Sequence, residues 1–149
     1  MKKFIGFLGL LLILASGPII AGETTDLETA LQKKKLLVLE GMKLSDETEV
    51  EFLPVYNAYQ KDLIKSARTM SAIIVDFSKN YNALTNVKAQ ELLAKWLDEQ
   101  QSKLNLKKEY VAKFEKVMSK KELMRYYQIE NKLESIVDNE LRKAIPLAK

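Results

Sequence analysis

The sequence predicts an all-α fold: an elongated, bent helical hairpin of about four helices with coiled-coil-like packing. Three observations lead there. Between Gly41 and Pro146 the only helix breaker is Pro54. The same stretch is rich in Leu, Lys, Glu, Ala and Gln, which favour helix, and no window alternates with period two long enough to read as a strand. Leu53, Tyr56, Gln60, Leu63, Ala67, Met70, Ile74, Phe77 and Tyr81 also recur at steps of three and four. That spacing lines side chains along one seam of a helix.

The first element is a leader. Met1-Lys2-Lys3 is basic, Phe4 to Ala15 is apolar, Ser16-Gly17-Pro18 breaks the run, and Ala21 is a small residue at the end. These are the regions of a secretory signal. Residues 1–22 therefore read as a signal peptide cleaved near Ala21, and 23–149 as a single all-helical domain that is periplasmic or secreted. The alternative is a retained anchor. Phe4 to Ile20 is short for about 30 Å of hydrocarbon, and it contains Gly6, Gly9, Gly17 and Pro18.

The first helix is expected from about Asp26 to Glu40, with Leu27, Ala30, Leu31 and Leu37 or Val38 on one side, and Gly41 stopping or bending it. Ser45 reads as the cap of the second, and Asp46, Glu47 and Glu49 follow where the helix dipole favours negative charge. This helix reaches about residue 82, with a kink at Pro54, and Asn80, Asn82 and Thr85-Asn86 form the turn after it. The third runs from about Asn86 to Val117 with Leu93, Trp96, Leu97, Leu104, Val111 and Phe114 inward. Ser119 caps the fourth, whose inner face is Tyr126, Ile129, Leu133, Ile136 or Val137, and Leu141; it ends before Pro146. A helix over 46–82 is about 55 Å long, whereas a compact globule of this size is about 36 Å across. The expected shape is therefore extended.

Composition narrows the chemistry. Among 149 residues there is no His and no Cys, so Ser-His-Asp and Cys-His catalysis, Cys/His zinc sites and disulfides are excluded. Lys+Arg number 24 against 20 Asp+Glu, and losing Lys2 and Lys3 with the leader lowers the net charge from +4 to +2. With so little net charge and no recognisable motif, nucleic acid is not an expected partner. Asp46, Glu47, Glu49 and Glu51 read as helix-start acids rather than metal ligands. Ser66 and Lys65, being helix neighbours, point about 100° apart. No catalytic residue, cofactor or metal is expected.

A degenerate repeat runs through the body. Leu44-Ser45-Asp46-Glu47-Thr48 aligns with Met118-Ser119-Lys120-Lys121-Glu122; further on, Phe52 falls on Tyr126, Leu53 on Tyr127 and Tyr59 on Leu133. These two starts, the leader and the helical body resemble the Spy/CpxP family of exported stress proteins, whose repeated signature is Leu-Thr-x-x-Gln. Here Ser45 and Ser119 stand for Thr, and Thr48 and Glu122 for Gln. The resemblance implies a curved four-helix protomer, a homodimer, and a concave face that holds unfolding proteins without ATP, or in some members restrains an envelope sensor. Metal-sensing relatives use His, which this chain lacks.

The function expected from this resemblance is that of an ATP-independent chaperone-like or envelope-stress adaptor. The alternative is a structural or regulatory coiled-coil partner of one envelope protein, docking through the Leu53–Tyr81 seam. Residues 103–125 carry eight basic against three acidic side chains. They read first as a solvated helix face and second as a surface for acidic clients, with lipid headgroups less favoured. The helix-start motifs are Leu44, Ser45, Met118 and Ser119. The candidate partner contacts are Lys107, Lys113, Lys116 and Tyr127, since adjacent Tyr126 and Tyr127 cannot share a narrow inner stripe.

Overall fold

The computed structural model describes residues 21–148, with side chains from Leu27 onward. The basic start, the apolar run and the break of the leader lie outside the described residues. The described chain forms α1 (Ala21–Met42), α2 (Asp46–Asn80), α3 (Asn86–Phe114) and α4 (Lys120–Ala144), with a single 3-10 turn at Tyr81–Ala83 and no strand. The fold is all-α, as the sequence predicts. α2 spans about 52 Å at 1.5 Å per residue. Phe52, Phe114 and Tyr126 meet at one end, so α2 and α4 run away from that end while α1 and α3 run towards it.

Local chemistry sets the boundaries. α1 continues through Gly41 and ends at Lys43, whose φ of 52° is left-handed. Gly41 is the second-last residue of the helix, and it makes room there, because a Cβ would stand 2.9 Å from Ile129 Cδ1 of α4. Ser45 Oγ accepts the Thr48 N–H at 3.3 Å, and Thr85 Oγ1 accepts that of Lys88 at 3.2 Å. At α4 the cap is reciprocal: Ser119 Oγ accepts the Glu122 N–H, and Glu122 Oε2 accepts the Ser119 N–H at 2.8 Å. Those bonds from Ser119 hold the Glu122 carboxyl below its ordinary range. α2 passes unbroken through Pro54, which lies on its exposed side. α4 ends at Ala144, and Ile145 before Pro146 is extended.

The core is an aromatic knot at the end where the helices converge. Phe52, Tyr59, Phe114 and Tyr126 are essentially sealed from solvent, with Val38 and Met42 of α1 beside them. Phe114 and Tyr126 have ring centroids 4.7 Å apart, and Tyr59 and Tyr110 4.8 Å. Phe52 and Tyr126, paired by the sequence repeat, face each other at 5.4 Å because α2 and α4 start side by side. The predicted seam describes α2 only in part. Tyr56 and Gln60 are buried, but so are Phe52 and Tyr59, which the seam passes by. A two-residue seam suits contact with one helix; here α2 meets three, and its buried arc widens.

Beside the knot, three helices share a buried polar network. Lys34 Nζ of α1 pairs with Glu130 Oε2 of α4 at 2.7 Å and donates to Gln60 Oε1 of α2 at 2.7 Å. Gln60 Nε2 and Tyr126 OH both donate to Glu130 Oε1, at 3.1 and 3.2 Å. Desolvation, and then the Glu130 charge, raise the Tyr126 hydroxyl well above its ordinary value.

Candidate binding groove

Away from the knot the packing opens. α1 contributes Leu27 and Leu31 beside Leu63, Ala67 and Val137. Past that level α2 and α3 continue side by side, and the end of α4 lies against them. Between them lies a half-open cavity of about 470 Å³. Met70, Ile74 and Phe77 of α2 form one wall, Leu92, Leu93 and Trp96 of α3 the other, and Leu141 and Ile145 the side towards the C-terminus. The volume and apolar lining fall within the range of ligand and peptide sites, about 300–1,000 Å³.

The α3 wall corrects the sequence reading. Leu93, Trp96, Leu97 and Leu104, expected inward, are 56, 43, 52 and 45% exposed. Phe114, also expected inward, is buried and Val111 is half-buried, but the rest of the buried stripe is Leu92, Glu99 and Tyr110. Glu99 explains the misreading: a carboxylate occupies an inner position of the stripe, so apolar periodicity alone settles on the neighbouring register. Its Oε1 accepts the Ser66 hydroxyl at 2.5 Å. Of the exposed residues Leu93 and Trp96 line the groove, and Leu97 follows Leu93 by one turn on the same helix.

The candidate contacts on the basic stretch fare differently. Lys107 pairs with Glu134 Oε2 at 2.7 Å, and Lys103 with the other Glu134 oxygen. Burial would raise the Glu134 carboxyl, but these two ammoniums outweigh it and hold the group below its ordinary range. Lys113 pairs with Glu109 at 2.7 Å and stands 4.0 Å from the Tyr110 ring centroid. Tyr127 is half-buried rather than an exposed contact: its hydroxyl donates to the Lys107 carbonyl at 2.8 Å, and burial pushes it up to about 12. Packing on two neighbouring helices gives Tyr126 and Tyr127 each an inner side, which a single stripe cannot. Lys116 is exposed and, among the described residues, makes no ion pair. The basic stretch is therefore largely structural, with Glu134, outside the counted window, neutralising part of it.

The motif residues act at the converging end. Ser45 and Ser119 are caps, Met118 is buried, and Leu44 packs against the core. None of the four lines the groove. Among the described residues, no group of acidic side chains is placed to hold a metal, and no helix is long and apolar enough to cross a membrane. No protein-family model matches the chain, and neither a curated protein nor a solved structure matches it.

Proposed function

We propose that this is an exported, ATP-independent chaperone-like or envelope-stress adaptor protein that acts by binding partners in the groove between α2 and α3. One observation carries the reading: the groove lined by Leu93 and Trp96, with exposed Leu97 and Leu104 further along the same helix, is an apolar surface that no described residue fills, away from the core. Monomeric proteins seldom expose apolar area of this kind unless it meets a partner. Lys95, Asp98, Gln100 and Gln101 alternate with it on α3. Such a mixture keeps a free surface soluble while its apolar side chains stay available. The absence of His and Cys supports a reading in which the chain acts by binding.

The test is light scattering. An unrelated denatured protein is diluted, without ATP, in the presence and absence of the purified protein. Suppression at near-stoichiometric amounts is expected, and substituting Leu93→Lys with Leu97→Lys abolishes it. Both sites are already exposed, so the fold tolerates the change. Absence of suppression by a folded wild-type chain would refute the holding activity. It would leave the second reading, one dedicated envelope partner, to be sought by pull-down.

A further inference from the structure

We infer that the groove accepts an apolar helical segment carrying a cation, a Lys or Arg side chain, and that Glu99 supplies its counter-charge. This inference deepens the partner-binding reading above and rests on it.

Glu99 is 9% exposed and borders both the 470 Å³ groove and a second, shallower cavity of about 420 Å³ behind it. Among the described residues its hydrogen-bond partner is a neutral hydroxyl, Ser66 Oγ. Among the described residues no cation lies within ion-pair distance of it, and the adjacent lysines are engaged elsewhere. Lys95, one turn before, pairs with Glu91; Lys103, one turn after, pairs with Glu134. A carboxylate withdrawn from water beside a single hydroxyl is poorly compensated. A cation entering from the groove would complete its shell.

The surrounding charge points the same way. Asp138 also lines the groove and forms no ion pair among the described residues, and Asp98 borders the second cavity. Among the described residues, Arg142 is the only basic side chain on the groove lining without an ion pair. Counting only side chains without an ion pair among the described residues, the groove lining holds two acids, Glu99 and Asp138, against Arg142, which favours a partner that is apolar along one face and carries a positive group.

The walls also select shape. From Ala67 to Phe77 α2 runs about 15 Å along the trough, and α3 runs beside it. An apolar trough walled by two antiparallel helices suits an amphipathic helix, whose residues three and four apart fall on the wall. The stem of a lysine lies along apolar surface while its ammonium reaches the carboxylate.

The experiment uses Trp96, the single tryptophan of the chain, as reporter. Two Trp-free amphipathic helical peptides are synthesised with the same Leu/Ala face, identical except for one Lys or Gln at the end of that face. Each is titrated into the purified protein while Trp96 emission is followed. The Lys peptide is expected to bind at least fivefold more tightly than the Gln peptide, and the preference is expected to fall below twofold in Glu99→Gln. Equal affinity of the two peptides for the wild-type protein would overturn the inference while leaving apolar binding intact. A preference that persists unchanged in a folded Glu99→Gln variant would also overturn it. If neither peptide alters Trp96 emission, the groove reading beneath it fails as well. The peptide exchange needs no variant to fold, so the inference stays falsifiable even if Glu99→Gln does not.

Discussion

Replacing Lys34 by Met should be among the costliest changes short of the aromatic knot. The Lys34 and Glu130 side chains are 12 and 7% exposed, their ion pair is 2.7 Å long, and both also bond to Gln60. Methionine retains the apolar stem but leaves Glu130 as a buried carboxylate with Gln60 and Tyr126 as its donors. Breaking one side of a buried pair costs about 3–5 kcal/mol, against about 5–15 kcal/mol for a whole domain. The variant should therefore lose about a fifth or more of its stability, read as a fall in urea midpoint by circular dichroism at unchanged slope. Adding Glu130→Gln, whose amide oxygen still accepts from Tyr126, should recover at least half of the loss. A cost below about 1 kcal/mol for Lys34→Met, the value of an exposed pair, would refute the reasoning.

Three further predictions use the same structure. Tyr56 buries a hydroxyl that has no hydrogen-bond partner among the described residues, so Tyr56→Phe should leave the melting temperature unchanged or raise it; a loss above about 1 kcal/mol would reveal a partner in solution. Ser119→Ala breaks a two-way cap and should cost about 1–2 kcal/mol by urea unfolding, more than Ser45→Ala, whose cap is one-sided. The Glu134 carboxyl is lowered by Lys103 and Lys107, so its stabilisation is complete above the ordinary glutamate value of about 4.3 and is lost as the pH falls through its lower folded value. Glu134→Gln should accordingly flatten the acid limb of a melting-temperature profile between about pH 5 and pH 3.

The helices were legible because their signals are local. Ser45, Ser119 and Pro146 each mark a boundary through their own chemistry, and the model places the caps and the last helix end where those residues stand. Faces were less legible because they depend on how many neighbours a helix has. α2 meets three helices at the converging end, which draws Phe52 and Tyr59 inside beside the predicted Tyr56 and Gln60. On α3 one buried acid, Glu99, shifted the apparent apolar stripe by one register. The residues thus misplaced, Leu93, Trp96 and Leu97, are those the groove reading relies on. Tyr127 and Lys107 misled for a related reason: their partners, a backbone carbonyl and Glu134, come from another helix or from outside the charge window. The Lys34–Glu130 pair joins residues 96 apart, which no periodicity reveals.

The most direct test of the groove exploits the absence of cysteine from the chain. Single cysteines are introduced at Leu97, beside the groove, and at Met124, an equally exposed apolar residue on α4. Each is labelled with a photo-crosslinker and mixed with an unfolding client protein. The account predicts crosslinks from position 97 and few or none from position 124. Equal yields from the two positions, or a higher yield from 124, would contradict it.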